Sequence, residues 1–289
     1  MCCRTEGVRY SVGGVCLAVC GSRLAQVVEQ IVAFAPFRVS EGTPRFSFVE
    51  GRVEEVPQVV NTQYRFTHEG VSSEFSATAD GYLLSMQLDE EPPLYLWHRV
   101  GESHLWLSGN LAMRLVRFAL WVGYGLMRAT DGSVAIHSSC IVHEGRAVLF
   151  LGESGTGKST HTRLWREHIT GSFLLNDDSP IVTVESDGRV WVYGSPWSGK
   201  TPCYRAERYE LQACVRLSQA PANRIRRLSP LHAYAALHPS CPPQFAYDDR
   251  LYSGISDTMG RMIAAVPCYH LACLPDEAAA RLACDTLFM

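Results

Sequence analysis

The sequence predicts a mixed α/β protein of the α+β kind. A small β-rich region over residues 1–105 precedes a larger domain over 106–289. Three observations carry that prediction. Short apolar runs separated by turn residues fill the first third of the chain, as strands of a sheet do. An apolar segment over 111–127 then repeats at helical spacing through Leu111, Leu115, Ala119 and Val122. Finally, AVLFLGESGTGKST at 147–160 runs from an apolar strand through three glycines into a helix-forming stretch.

Taken in order, RYSVGGVCLAVC at 9–20 holds two apolar stretches about Gly13-Gly14, and 24–34 suits a helix. Residues 46–49, 65–67, 81–87 and 94–100 read as strands between turn signals such as Asp80-Gly81. Ser108-Gly109-Asn110 opens the long helix, whose Phe118, Trp121 and Tyr124 suit core packing. A strand over 134–142 with His137 inside it follows, and Glu144-Gly145 turns the chain into the next strand. Further on, 181–184 and 190–193 form a hairpin about Asp187-Gly188, and 194–200 is a loop too polar to be core. Residues 211–217 read as a strand, and 223–228 as an edge strand with Arg224 and Arg226 on one face. Ser229-Pro230 starts a short helix and 244–265 forms a longer one. A last strand over 268–274 and a helix opening at Pro275-Asp276-Glu277 close the chain.

With 289 residues, 47% of them hydrophobic and 19% charged, the chain can bury a substantial core. A net charge of -3 leaves no basic footprint for nucleic acid. No apolar run reaches membrane-spanning length, and MCCRTEGVRYSVGG, with its Glu6, lacks a signal-peptide core. Eleven cysteines without a Cys-x-x-Cys pair fit reduced thiols, so a cytoplasmic location is expected.

Gly152, Glu153, Ser154, Gly155, Thr156, Gly157, Lys158 and Ser159 complete the Walker A pattern G-x-x-x-x-G-K-[ST], with Thr160 next on the helix. The glycines can adopt the angles that turn successive N–H groups onto phosphate oxygens. The start of the helix adds its dipole at the same point. Lys158 supplies a mobile charge for β and γ phosphates, and Ser159 a hydroxyl ligand for Mg²⁺. A nucleoside triphosphate is the expected ligand. Then, 19 residues after Lys158, an apolar run ends in Asn176-Asp177-Asp178. One carboxylate placed there can approach Mg²⁺, and the other can accept a proton from an attacking hydroxyl. Lys200 and Arg205 are the nearest downstream cations for a transferring phosphoryl group.

These residues resemble the catalytic domain of HPr kinase/phosphorylase and its relatives, whose nucleotide site is similar to that of ATP-dependent phosphoenolpyruvate carboxykinase. The resemblance rests on AIHSSCIV at 135–142, GESGTGKST at 152–160 and LLNDD at 174–178, and extends over residues 130–289. In layout the chain looks closest to HPr-kinase-like proteins of bacterial gene clusters, including lasso-peptide tailoring kinases. The resemblance implies a kinase that uses ATP and Mg²⁺ to phosphorylate a hydroxyl, with a serine of a protein or peptide as the expected acceptor. It implies that Lys158 and the loop amides hold the phosphates, and that Ser159 and Asp178 hold Mg²⁺. It further implies that Asp177 is the base, with His137 beside it.

The signature loop that follows the aspartates in HPr kinase/phosphorylase is replaced here by a different sequence at 194–200. HPr itself as acceptor, and the reverse reaction, are therefore not implied. The alternatives are a small-molecule kinase or carboxykinase-like enzyme, and a non-catalytic ATP-binding module. The acceptor, any homo-oligomeric state and the task of residues 1–105 are left open.

Overall fold

The computed structural model describes residues 7–68, 70–199 and 201–289. The chain divides into two compact units, one of Met1–Met127 with Gln244–Asp249, the other of Arg128–Pro243 with Arg250–Met289. Each unit is mixed α and β. Among the described residues no helix is long and apolar enough to cross a membrane.

Unit 1 contains β1 (Val8–Val12), β2 (Val15–Cys20), α1 (Ser22–Gln30), β3 (Arg38–Val39), β4 (Phe46–Glu50) and β5 (Val59–His68). It continues with β6 (Val71–Thr78), β7 (Gly81–Leu88), β8 (Leu94–Arg99), β9 (His104–Gly109) and α2 (Met113–Arg128). The strands form one sheet in the order β3-β1-β2-β4-β9-β8-β7-β6-β5. Gly13 and Gly14 both take positive φ, 57° and 79°, which matches the tight turn between β1 and β2. Sequence patterning missed β6 and β9 and most of β5. Serines, threonines and other polar residues interrupt the apolar pattern of β5 and β6, β9 is a short apolar run before the long helix, and pairing with neighbours makes all three strands.

The division falls at Met127, beyond the boundary expected at residue 105, because α2 packs on the sheet of unit 1. Gly123 lets α2 approach closely, since a Cβ there would meet Phe48 at 2.6 Å and Leu105 and Leu96 at 3.0 Å. The Tyr124 hydroxyl donates to the Val12 carbonyl at 3.3 Å.

Unit 2 begins with β10 (Ser133–Ala135), β11 (Ser138–His143), β12 (Arg146–Leu151), α3 (Lys158–His168), β13 (Phe173–Asp178), β14 (Ile181–Val184) and β15 (Val190–Tyr193). It ends with β16 (Arg208–Gln219), β17 (Arg224–Arg227), α4 (Pro230–Leu237), α5 (Asp249–Ala265), β18 (Cys268–Cys273) and α6 (Glu277–Phe288). The main sheet runs β10-β14-β15-β16-β12-β11-β13, with β18 on β16 and β17 on β18. Phe150, Trp165, Leu174, Val215, Leu271, Ala283 and Leu287 form a buried cluster that joins this sheet to α3 and α6. Asp276 caps α6 by accepting from the Ala279 N–H at 2.9 Å.

Strand direction positions the site. β12, β16 and β18 are mutually parallel, and β13 runs with them because β11 is antiparallel to both β12 and β13. Four strands therefore end on one edge of the sheet, where ligands bind in open sheets of this kind.

The strand expected over 134–142 is in fact two. β10 pairs with β14 while β11 pairs with β12 and β13, so the chain changes neighbours at Ile136 and His137. The two amides at the break are satisfied elsewhere, by Pro180 O and Ser240 O. His137 thus lies between strands, not within one.

Candidate active site

β12 delivers the chain to Gly152, and α3 departs at Lys158. Gly155 and Gly157 take positive φ, 85° and 102°, and an added Cβ at either would meet nothing within 4 Å. The loop is therefore left-handed at two points that face open space, an arrangement suited to close approach by a ligand. Thr156 braces it, its hydroxyl donating to Glu153 O at 2.8 Å and its N–H to the same oxygen at 3.2 Å. Glu153, Ser154 and Ser159 are exposed, and Thr160 is half-buried.

Lys158 folds back onto the loop, with Nζ donating to Gly152 O at 2.6 Å and to Glu153 O at 3.3 Å. Burial pushes its pKa down and nearby Arg216 adds to that, while Asp178 and Asp177 oppose it. A lysine held this way keeps one of its three donors spare and can free the others by releasing carbonyls, an exchange that phosphate oxygens reward with charge.

The two aspartates differ sharply. They end β13 side by side, so their side chains leave on opposite faces. Asp177 is 5% exposed. Its Oδ1 accepts from Ser139 Oγ at 2.7 Å, and Ser159 Oγ lies 3.3 Å from each carboxylate oxygen. Ser139 also reaches Thr162 Oγ1 at 3.3 Å, which in turn donates to Ser159 O at 3.2 Å. Asp178 instead keeps a 45% exposed side chain, with Oδ1 lying 3.5 Å from His137 Nε2. Its φ of 147° is unusual for a residue with a side chain. Strain of that kind collects at functional sites and costs on the order of 1–3 kcal/mol.

His137 is 45% exposed at its side chain. Burial lowers its pKa and Lys158 lowers it further, against the raising influence of Asp178 and Asp177. The arrangement reverses the expected pairings. Ser159 meets Asp177, not Asp178, and the carboxylate 3.5 Å from His137 Nε2 is that of Asp178. The reason is register: Ser139 stands opposite Asp177 and Ser138 opposite Asp178, which turns Asp177 inward toward α3.

Two further expectations change. Residues 194–198 of the loop expected over 194–200 are buried despite their polarity, with Ser195, Trp197 and Ser198 each at or below 5% exposure. Its hydroxyls explain this. Ser195 Oγ donates to Ser179 O at 2.6 Å, Asn176 Nδ2 donates to Ser195 O at 3.2 Å, and Ser198 Oγ donates to Asp177 O at 3.2 Å. The loop therefore clamps the backbone of the aspartates. Arg205 lies over the Phe173 ring at 4.9 Å and pairs with Glu207 at 3.4 Å. Lys200 lies outside the described residues.

Sequence reasoning missed Arg216. Parallel pairing sets it beside Leu151, immediately before the glycine loop, and its Nη2 donates to Glu153 Oε1 at 3.3 Å. No local pattern marks it, since it follows from strand pairing alone.

Chemically, the Asp177 carboxylate and Ser159 hydroxyl are adjacent hard oxygen donors, of the kind a small divalent cation takes. Open glycine positions next to a lysine offer room and charge for an anion. The donor set thus fits a magnesium–polyphosphate pair.

In comparison with known proteins, the chain matches no family model, and no curated protein is significantly similar to it.

Proposed function

We propose that unit 2 is an ATP- and Mg²⁺-dependent kinase with the fold of the HPr kinase catalytic domain, acting on a serine hydroxyl of a protein or peptide. One observation carries the reading. A glycine loop with its lysine and an aspartate–histidine pair converge on the edge where four strands end.

In this reading Lys158 and the loop amides bind the β and γ phosphates. Ser159 and Asp177 would hold Mg²⁺, which when bound neutralises phosphate charge. Asp178 then takes the role first expected of Asp177. A base must reach an incoming hydroxyl, and the Asp178 side chain is 45% exposed, with Oδ2 accepting from Ser179 Oγ at 3.1 Å, whereas Asp177 is buried. The acceptor hydroxyl gives its proton to an Asp178 carboxylate oxygen, and His137, 3.5 Å away, holds that carboxylate in place. The clamp from Ser195 and Ser198 fixes the backbone from which both aspartates project. Exposure of Asp178 and His137 at this edge suits a bulky acceptor approaching from solvent.

The test is transfer of label from γ-labelled ATP with Mg²⁺ to a library of serine-containing peptides and to small hydroxyl metabolites. Label on peptides that disappears in Lys158→Ala and Asp178→Asn is the expected result. Transfer to metabolites alone would make it a small-molecule kinase, and ATP binding without transfer or hydrolysis a binding module.

A further inference from the structure

β17 is an open edge of the unit 2 sheet. Among the described residues its one neighbour is β18, antiparallel, with Arg224 opposite Ala272 and Arg226 opposite His270. Leu228 continues that ladder, its N–H donating to Cys268 O at 2.8 Å. By antiparallel alternation Arg224 and Arg226 also spend their backbone groups on β18, and those of Ile225 and Arg227 point outward. Asn223 pins the start of the strand, accepting from the Leu274 N–H at 2.7 Å and donating to Asp276 Oδ1 at 2.9 Å.

The side chains make this edge selective. Arg224, Arg226 and Arg227 are exposed, and none forms an ion pair or side-chain hydrogen bond among the described residues. Other exposed arginines of unit 2 are neutralised, Arg281 by Glu277, Arg163 by Glu167 and Arg146 by Glu210. The Asp276 carboxylate is taken up by Asn223 and by the cap of α6. Beside the strand lies a groove of about 570 Å³, lined by residues 223–226 with His270, Ala272 and Leu282. Ile225 and Leu282 give it an apolar floor that rests on the buried cluster of the sheet. Charges on an edge ordinarily keep other strands away. Three un-neutralised charges of one sign, beside outward N–H and C=O groups and an apolar groove, reject basic strands and accept acidic ones.

We infer that β17 docks an acidic, extended segment of the polypeptide acceptor as an added strand. The segment's backbone pairs with Ile225 and Arg227, its carboxylates face Arg224 and Arg226, and its alternate apolar residues lie against Ile225 and Leu282. The docking stands on the edge itself, whereas the assignment of the segment to the acceptor rests on the kinase reading. β17 is five strands from β13, about 24 Å at the usual strand spacing, so roughly seven or more extended residues separate the segment from the serine.

The experiment is fluorescence anisotropy of the whole chain, without nucleotide, with a labelled peptide of about ten residues that alternates Glu and Val. This probe should bind and its Lys–Val counterpart should not. Arg224→Glu combined with Arg226→Glu should weaken binding about 10-fold or more, the scale of two surface ion pairs turned repulsive. N-methylation of alternate probe residues should abolish binding in one register and spare it in the other, because an added strand pairs along one side only. Equal binding of the Glu–Val and Lys–Val probes, the same result in both methylated registers, unmoved affinity in the charge-reversed variant, or no binding at all overturns the docking edge. A serine peptide carrying the segment roughly eight residues away should be labelled from γ-labelled ATP about 10-fold more efficiently than the same peptide without it. Labelling indifferent to the segment overturns its assignment to the acceptor. Docking with no labelling of any peptide overturns the kinase reading and leaves the edge standing.

Discussion

The two units each build a large sheet, but they bury polar groups in different ways. In unit 1 the buried polar side chains are scattered. Ser76 meets Thr62 at 3.3 Å, His98 Nδ1 meets His104 O at 3.0 Å, and Ser73 Oγ is buried with no partner among the described residues. In unit 2 those around the glycine loop and the aspartates are connected, although Arg128 Nε, His143 Nδ1, Trp191 Nε1 and Arg216 Nη1 are buried with no partner among the described residues. Ser139, Thr162, Ser159 and Asp177 form one chain of contacts, and Asn176, Ser179, Ser195 and Ser198 form a second around the backbone of the aspartates. Isolated buried hydroxyls are tolerated where packing is strong, whereas a satisfied network fixes geometry. The connected groups gather about the glycine loop and the aspartates.

The sharpest way to break this comparison is at the aspartates. Asp178→Asn should lower turnover by about 10²–10⁴, the usual worth of a general base, and leave Mg-ATP affinity within a few-fold. Asp177→Asn should weaken Mg²⁺-dependent nucleotide binding. Single-turnover kinetics beside calorimetry separates them, and an exchange of the two phenotypes would restore Asp177 as the base.

A slightly smaller effect comes from His161, which is on the buried face of α3 and accepts from Trp165 Nε1 at 3.1 Å. Burial lowers its pKa to about 4. The folded state therefore binds fewer protons than the unfolded chain between the ordinary value near 6.5 and about 4. The neutral-histidine contribution is fully present above 6.5 and is lost as pH falls through that window, about 3 kcal/mol in all. Chemical denaturation of the unaltered chain and His161→Gln from pH 7.5 to 4 should show the variant losing that much less. Parallel curves would mean that His161 carries its proton inside the fold.

The smallest tests compare single hydroxyls. Ser139→Ala strips a bond from a buried carboxylate and should cost roughly 1–3 kcal/mol of stability. Ser73→Ala in unit 1 removes a hydroxyl that lacks a partner and should fall within about 0.5 kcal/mol of neutral or stabilise slightly. Equal costs in urea unfolding would erase the contrast between scattered and networked burial.

Much of the site was legible along the chain. Gly152 to Ser159, Lys158 and the aspartate pair announce themselves by spacing, because a glycine loop between strand and helix is a local device. His137 is expected beside Asp177 but stands 3.5 Å from Asp178, and its position at a break between β10 and β11 is hidden in the sequence, since both halves are equally apolar. The 194–199 segment read as exposed because composition cannot show that its hydroxyls find carbonyls to bond. In unit 1, β6 escaped notice because Ser72, Ser73, Glu74 and Ser76 disguise a strand held by both neighbours.

By itself, then, the sequence determined the mixed α and β character, the turns set by Gly13-Gly14 and Glu144-Gly145, and the strand–loop–helix order about the glycines. These depend on residues close in the chain, where backbone preference and side-chain type act directly. Tertiary structure alone decided that Asp177 faces Ser159 while Asp178 faces His137, and that Arg216 stands beside the loop. Those outcomes hang on strand register. A slip of one residue would turn each side chain to the other face, and only the packed sheet fixes that choice.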